Sequence, residues 1–578
     1  MKKFIGCAFL MISVFIFSEK LEAQITLESK TLQEIIEQVE NYEGYDSKEY
    51  PMGLYTKEYF ETEANFANMQ LKRLKELDAK MLSESEAISL ELLKFQLEET
   101  INQFEFEMYL NPLLSDSGFH SSWTYMVRSL TNYDQVKKYL NRLNAIPKVV
   151  DQHLVLLREG LDKGISQPRV IFEGYETSYN DHIVSNYEDS FYYGPFKSLP
   201  ENLTETQKDS VLRVARTAIE TAVIPQYKKI KNFFEKEYLP KTRTSIGVSE
   251  IPKGEEYYQS RINYYTTSTD YTADKIHNIG LKEVARIKSE MEKIIIEVGF
   301  KGTFSEFLNF LRTDPQFYAK TPKELLMIAR DMAKRADEQL PKFFKTLPRK
   351  PYGVAPVPDA IAPKYTGGRY IPTSPESTNP GYYWVNTYNL PSRPLYVMPA
   401  LTVHEAVPGH HLQMALNQEL GDGIPKFRRN MYLSAYGEGW GLYTEYLAAE
   451  MGMYTTPYER FGQLTYEMWR ACRLVVDTGI HAKGWTRDQV VDFMVSNTAL
   501  SIHEVNTETD RYISWPGQAL SYKIGELKIR ELRAKAEEIL GQKFDIREFH
   551  EVILEEGTVT LAILENRINN YIARTKNE

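Results

Sequence analysis

Apolar residues recur every three or four positions through most of the chain, and this spacing predicts a mainly helical fold. The period is clearest over residues 32–104, where apolar and charged positions define two faces of each turn. It predicts further helices over 136–163, 205–238, 272–291, 303–311 and 321–340. Thr204 is a suitable N-cap for the helix that follows it. From Ala400 the helical period continues, interrupted by turns, to the C-terminus.

One segment departs from this pattern. Pro and Gly are frequent between Arg349 and Pro399, and within that region residues 381–390 are rich in aromatic and β-branched types. This composition predicts a small β element in an otherwise helical chain. Residues 164–203 are rich in Tyr, for which a half-buried packing role is the favoured interpretation over a ligand groove.

The composition is globular, with 42% hydrophobic and 26% charged residues in 578. The formal net charge is −10 and no long basic run occurs, so nucleic acid is not an expected partner. After the N-terminal apolar run, no other reaches the roughly 18 residues of a membrane span. We therefore expect no transmembrane segment once a signal peptide is removed.

Residues 1–23 have the pattern of a secretory signal peptide: Lys2 and Lys3, an apolar run, and Ala23 at the cleavage position. Cleavage would leave Cys472 as the one cysteine, which excludes an intramolecular disulfide and favours a bacterial periplasm. Lipoprotein anchoring through Cys7 is the weaker alternative, because only three residues separate it from Lys3. The mature chain, 24–578, is expected to form one large helical domain, with an N-terminal lobe over about 24–250 and a catalytic lobe over about 251–578. The oligomeric state is left open.

Five of the ten histidines lie between positions 404 and 503, and His404-Glu405 opens like the zinc-peptidase motif HExxH. Position 408, where the second His would fall, is Pro. On a regular helix His410 would point about 240° away from His404, and His411 would lie about 10 Å further along the axis. Pro408-Gly409 is therefore expected to break the helix, so that His410 takes the place of the second ligand. His411 remains the alternative.

A zinc site of this type has three protein ligands and one open position. Glu438, flanked by glycines, is the predicted third ligand, and Glu445 is either a fallback ligand or a residue that orients a ligating His. The expected cofactor is one Zn²⁺ per chain, although manganese and cobalt are not excluded by the donor types. The conjunction of these residues within 35 positions favours a metal site over a surface helix.

Other candidates lie outside this cluster. Arg473, Asp477 and His481 share a helix face, so Asp477 could orient His481 as a catalytic residue, although a solvated ion-pair face is an equal alternative. Tyr512 and Tyr522 are candidate donors to the oxyanion of a tetrahedral intermediate, although a structural role is the favoured interpretation of each Tyr taken alone. Asn386, in the predicted strand, could bond the main chain of an extended substrate, although a pure packing role for the strand is an equal alternative. The remaining candidate substrate contacts are His503, Arg511, Gln518 and Lys523.

Several segments together resemble the bacterial proteins known as domain of unknown function 885. They are residues 404–411, the Gly-Glu-Gly-Trp stretch around Glu438, and residues 264–267, 276–281, 477–481 and 516–523. The family is grouped by similarity with the gluzincin-like HExxH metallopeptidases. The resemblance implies a mainly α, metallopeptidase-like body around a deep cleft, with the small β element beside the active-site helix. It also implies Glu405 as base and His404, His410 and Glu438 as ligands.

The function we expect is that of a secreted zinc metallopeptidase that hydrolyses short peptides. Glu405 would be the general base and zinc-held water the nucleophile. Two alternatives stay open: a metal-dependent amidase of another class, and a non-catalytic peptide- or metabolite-binding protein that retains the fold. A di-iron oxygenase is disfavoured, because its Glu-x-x-His pattern fails where Pro408 follows Glu405. Whether cleavage would be internal or at either terminus is left open.

Overall fold

The computed structural model describes residues 26–359, 361–374 and 377–577. The predicted signal peptide, residues 1–23, lies outside the described residues. The described chain is mainly helical, as the apolar period predicts, and contains one three-stranded sheet. The helices before the sheet are α1 (Leu27–Glu40), α2 (Lys57–Lys75), α3 (Glu84–Glu105), α4 (Tyr133–Lys163), α5 (Thr177–Asn180), α6 (Glu205–Ala218), α7 (Ile224–Phe233), α8 (Gly254–Thr266), α9 (Ala273–Glu297), α10 (Phe304–Thr313) and α11 (Pro322–Phe343).

Ten further α-helices follow the sheet in the described chain. They are α12 (Met398–Glu405), α13 (His410–Gln418), α14 (Lys426–Asn430), α15 (Ser434–Leu447), α16 (Pro457–Lys483), α17 (Arg487–Asn497), α18 (Ile502–Ser514), α19 (Ser521–Leu540), α20 (Ile546–Leu554) and α21 (Leu561–Asn577). None of the helices in the described ranges has the length and apolar character needed to cross a bilayer.

The helix starts follow local capping signals. The Thr204 side chain accepts a hydrogen bond from the Gln207 amide, and Gln207 bonds back to the Thr204 amide. This reciprocal capping box satisfies two of the amides that have no partner within the first turn. Thr303 and Thr456 begin α10 and α16 in the same way. The prediction of Thr204 as an N-cap is confirmed.

The sheet contains β1 (Tyr352–Pro356), β2 (Gly368–Ile371) and β3 (Gly381–Val385) in the order β1-β3-β2. β3 is parallel to β1 and antiparallel to β2, so it is the central strand and β2 is an edge. The predicted β element over 381–390 is shorter than expected, because the chain turns after Val385 into a 3₁₀ turn, Leu390–Ser392. β1 and β2 were not predicted.

The hydrophobic cores join both halves of the chain. The largest core takes side chains from α4, α6 and α7 and also from α16 to α18. Tyr175, Tyr179, Tyr192 and Tyr193 are buried in it, which confirms the packing interpretation of the Tyr-rich passage. A second core takes side chains from α3, α8, α15 and α19 to α21.

Two helices of the second core touch through their main chains. A Cβ atom added at Gly439 on α15 would lie 2.6 Å from the backbone of Gly525 on α19. At Gly525 it would lie 1.9 Å from the carbonyl oxygen of Ala435. Any larger residue at either glycine would push the helices apart. This contact sets the position of α15, which carries the predicted ligand Glu438.

Candidate metal centre

A tight turn separates the two histidines of the predicted motif. α12 ends at Glu405 and α13 begins at His410. The Gly409 amide donates to the Val403 carbonyl at 2.9 Å, and a Cβ at Gly409 would lie 1.9 Å from the His404 carbonyl oxygen. The turn therefore requires glycine at this position. It has the predicted effect, because the ring centroids of His404 and His410 are 4.7 Å apart.

The turn is held from outside by α15. The indole N–H of Trp440 donates to the Pro408 carbonyl at 2.8 Å. Trp440 lies two residues after Glu438 on the same helix, so the contact couples the turn to the third predicted ligand. This coupling fixes the His-bearing turn relative to the Glu-bearing helix.

His404, His410 and Glu438 form the candidate metal centre. Their potential ligand atoms all lie within 4.8 Å of one another. Glu438 Oε2 is 3.5 Å from His404 Nε2 and 3.4 Å from His410 Nε2. With zinc–nitrogen bonds of about 2.0–2.1 Å, the edge of a tetrahedral site is about 3.3–3.4 Å. The donor types and these separations fit a zinc ion held by three protein ligands.

The electrostatics of the centre favour a cation. Burial disfavours the charged form of His404, but its hydrogen bonds with Glu438 and Glu445 outweigh burial and raise its pKa to about 10. Burial likewise opposes ionisation of Glu438, yet His410 and His404 hold the pKa of Glu438 well below its usual value. The carboxylates around the two imidazoles thus stabilise positive charge at this point.

Three neighbours support the ligands. Glu445 Oε1 accepts a hydrogen bond from His404 Nδ1 at 2.8 Å, so Glu445 orients the ligand instead of replacing it. The hydroxyl of Tyr432 donates to Glu438 Oε1 at 3.0 Å. A Cβ at Gly441 would lie 2.7 Å from the His404 ring, so this glycine makes room for the imidazole.

Glu405 is hydrogen-bonded to the edge strand β2. The Tyr370 amide of β2 donates to Glu405 Oε2 at 2.7 Å. The hydroxyl of Tyr370 is hydrogen-bonded to His411 Nδ1 at 3.0 Å, and burial lowers the pKa of His411 to about 4. His411 is therefore a neutral packing residue beside β2, and His410 is the histidine that joins His404 and Glu438.

Arg369, Tyr370 and Tyr432 belong to the site but were missed in the sequence. Arg369 lies on β2 and interacts electrostatically with Glu405 and Glu438, which raise its pKa against the effect of burial. Tyr522 also interacts electrostatically with Arg369. None of these residues has a local sequence signal, because β2 and the segment before α15 come close to the metal-site candidates only through the fold.

Two predicted catalytic roles were wrong. His481 is buried, with Nδ1 accepting from the Val248 amide at 3.1 Å and Nε2 donating to the Tyr512 carbonyl at 2.9 Å. Burial lowers its pKa to about 3. Asp477 does not orient His481, because it accepts instead from the Tyr258 hydroxyl at 2.6 Å and from the Gly517 amide at 3.2 Å. His481 thus links α16 to Val248 and to α18, and Asp477 links α16 to α8 and to the turn at Gly517.

Tyr512 is not an available oxyanion donor. Its buried hydroxyl accepts from Trp469 Nε1 at 2.8 Å and from Arg473 Nε at 3.0 Å, and it also bonds Glu508. Tyr522 stays a candidate oxyanion donor, because it interacts electrostatically with Arg369, which also interacts with Glu405 and Glu438.

Asn386 and Lys523 are structural as well. Asn386 is fully buried, its side-chain amide donates to the Ala362 carbonyl at 2.9 Å, and it follows a central strand with both edges paired. The ammonium of Lys523 is enclosed by three carboxylates at 2.7–3.0 Å, from Glu467, Glu526 and Glu283. Neither side chain is accessible to a substrate.

The other predicted substrate contacts are spread over α18 and the turn after it. Arg511 is one quarter exposed, and its guanidinium lies 3.4 Å from the amide oxygen of the buried Gln518. His503 is exposed on α18, and no contact within the described chain links it to the triad.

Comparison with known families matches residues 40–568 to the family described as "Bacterial protein of unknown function (DUF885)". Two solved structures are similar. One is titled "The crystal structure of the putative lipoprotein from Colwellia psychrerythraea" and has a TM-score of 0.83 and 27% identity, covering 95% of this chain and 100% of that one. The other, a "putative lipoprotein of unknown function from Shewanella oneidensis", has a TM-score of 0.68 and 18% identity, covering 94% and 99%. Comparison with curated proteins found no match.

Proposed function

The chain belongs to the DUF885 family of bacterial proteins, and we propose that it is a secreted zinc-dependent metallopeptidase that hydrolyses short peptides. The observation that supports this most strongly is the grouping of His404, His410 and Glu438 beside the carboxylate of Glu405. Two imidazoles, one carboxylate ligand and an adjacent second carboxylate are the residue types that zinc peptidases use.

A zinc ion held by the triad would polarise the scissile carbonyl and activate water as the nucleophile. The Tyr370 amide holds Glu405 Oε2, which fixes the carboxylate in one orientation. The other oxygen of Glu405 would accept a proton from the attacking water and return it to the leaving amine. Glu445 keeps the imidazole of His404 in the tautomer whose Nε2 carries the lone pair.

Negative charge that develops on the oxygen of the substrate carbonyl would be stabilised by donor groups near Glu405. The guanidinium of Arg369 interacts electrostatically with Tyr522 and also with Glu405 and Glu438. A phenol and a guanidinium are both suitable donors to an oxyanion in a site shielded from water. In this proposal the Tyr522 hydroxyl donates a hydrogen bond to the oxyanion, and Arg369 supplies positive charge near it.

The strand that would guide the substrate is β2, in place of the predicted segment near Asn386. β2 is an edge strand, and the amide of Tyr370 points away from β3 towards Glu405. An extended peptide can add along such an edge through its main chain. The proposal includes a deep cleft beside this edge, which would admit short peptides and exclude folded proteins.

We place the protein in the bacterial envelope. The two similar structures carry the word lipoprotein in their titles, which accords with export. Periplasmic release after a signal peptide and anchoring through Cys7 remain the two routes.

The test is metal content and peptide cleavage of the purified mature protein. We expect about one zinc per chain by elemental analysis and digestion of a peptide library that a chelator abolishes. Glu405→Gln should keep zinc and lower the cleavage rate by roughly 10²- to 10⁴-fold. Glu531→Gln, an exposed control on α19, should behave as wild type. The absence of zinc after reconstitution, or cleavage that a chelator leaves unchanged, would refute the proposal.

A further inference from the structure

Two arginines lie over the ring of Tyr522, and two more interact electrostatically with its phenol. The guanidinium carbon of Arg473 lies 4.6 Å from the ring centroid, and that of Arg470 lies 5.8 Å away. Arg511 from α18 and Arg369 from β2 interact electrostatically with the Tyr522 phenol. Three separate elements thus bring positive charge to one point.

This arginine cluster adjoins the metal centre. Arg470 Nη2 is 3.8 Å from Glu445 Oε1, the same oxygen that accepts the hydrogen bond of His404. Arg369, which interacts electrostatically with Tyr522, also interacts with Glu405 and Glu438. A peptide bound with its scissile bond at the triad would therefore extend past Tyr522 into the arginine cluster.

Within the described chain, the four arginines outnumber the carboxylates that pair with them directly. Within the described chain, the carboxylates in ion-pair contact with it are Glu445 and Glu508. Glu504 is close by, but burial and the neighbouring Glu508 raise its pKa to about 7, so much of it is neutral at physiological pH. Three of the four guanidinium groups thus share two direct carboxylate partners, and the fourth, Arg369, interacts electrostatically with Glu405 and Glu438.

The four arginines are not equally available. Arg473 is 2% exposed, bonds Tyr512 and Glu508, and stacks on Trp469 with its guanidinium carbon 4.3 Å from the ring centroid. Arg511 has a quarter of its side chain exposed, and its contacts to Glu508 and Gln518 are long, 3.5 and 3.4 Å. Because these contacts are long, the planar fork of donors can exchange them for a two-point contact with a carboxylate.

We propose that Arg511, with Arg473 supplying charge behind it, binds a carboxylate of the peptide substrate. This rests on the proposed peptidase function and adds a substrate class: peptides with a free C-terminal carboxylate, or with an acidic side chain next to the cleaved bond. Arg511 is a specificity-determining contact and takes no part in proton transfer.

The test measures binding apart from cleavage. Short N-acetylated peptides, each made as free acid and as C-terminal amide and with Glu or Gln as the last residue, are titrated into zinc-loaded Glu405→Gln by calorimetry. We expect the carboxylate-bearing peptides to bind about tenfold to hundredfold more tightly, as for a charge-assisted hydrogen bond. The acid–amide pairs report the C-terminal source, and the Glu–Gln pairs report the side-chain source.

Arg511→Gln should abolish that preference, and Arg511→Lys should keep part of it because the charge stays while the fork is lost. Arg487→Gln removes a similarly exposed cation that pairs with Asp510, and it should keep the full preference. Equal binding of all four peptide forms, or a preference that survives Arg511→Gln, overturns the inference.

The two proposals fail separately. Carboxylate-dependent binding without chelator-sensitive cleavage by the wild type would refute the peptidase and leave the carboxylate subsite. Chelator-sensitive cleavage that is equally fast for acids and amides, and for Glu and Gln peptides, would refute the subsite and leave the peptidase.

Discussion

Glu445→Gln tests whether the triad is a metal site without touching a ligand. Glu445 is fully buried, and its Oε1 accepts the Nδ1 hydrogen of His404 at 2.8 Å. Its Oε2 has no hydrogen-bond partner, and Arg470 is 3.8 Å from Oε1. Glutamine has the same size and can still accept from His404. It removes the negative charge, however, and places an amide group where no acceptor is available.

The expected magnitude follows from this geometry. A carboxylate that bonds the distal nitrogen of a ligating histidine raises the basicity of that ligand and fixes its ring, and its loss costs about 10- to 100-fold in metal affinity. This corresponds to about 1.4–2.7 kcal/mol. The fold should persist, because the replaced side chain keeps its volume and one hydrogen bond.

The assay is zinc affinity by competition with chelators of known strength, with circular dichroism as a check of the fold. Glu450→Gln is the matched control, since it lies five residues further along and pairs with Arg533 at 2.8 Å, away from the triad. We expect wild-type affinity for the control. If Glu445→Gln binds zinc as tightly as wild type while His410→Ala does not bind it, Glu445 has no role in tuning the ligand.

Three further predictions concern the same scaffold. Gly441→Ala places a methyl group 2.7 Å from the His404 ring and should lower zinc content, whereas Gly421→Ala, with open space around its Cβ, should not; equal zinc contents would contradict the packing argument. Asp477 is buried, and its pKa is raised from 3.8 to about 7, so relative to Asp477→Asn the wild type should lose stability as pH rises from about 4 to about 7. Thermal unfolding of both proteins across that range measures this, and a constant difference would show that the carboxyl does not titrate there. Chelation should lower the unfolding midpoint of wild type and added zinc should restore it, whereas the midpoint of His410→Ala should respond to neither.

The helices were predictable because their signals are local. An apolar period and a capping residue such as Thr204 act within a few positions of one another. β2 was not predictable in this way, since a four-residue segment becomes a strand only through its pairing with β3. The same limit applies to the second half of the predicted β element, where Val385 ends the pairing.

In the candidate site, too, the residues with a local sequence signal were predicted and those without one were missed. His404, His410 and Glu438 were recognisable because the Pro-Gly interruption and the flanking glycines are adjacent to them in sequence. Tyr370 and Tyr432 were missed, because neither lies on the helix of the residue it contacts. Tyr370 reaches Glu405 from β2, and Tyr432 reaches Glu438 from the segment before α15.

The errors at His481 and Asp477 have a related cause. Spacing on one helix identifies neighbours on that helix, but a buried side chain is satisfied by whichever element packs against it. For His481 these partners are the backbone groups of Val248 and Tyr512. Helical spacing alone cannot name them.

The glycine contact between α15 and α19 has a consequence for how this scaffold can diverge. Because Gly439 meets Gly525 main chain to main chain, the depth of the helix that carries Glu438 does not depend on any pair of interlocking side chains. Residues elsewhere on the two helices can therefore be exchanged without moving the acidic ligand. Descendants of one ancestral gene can then change the surrounding side chains and keep the relative positions of His404, His410 and Glu438.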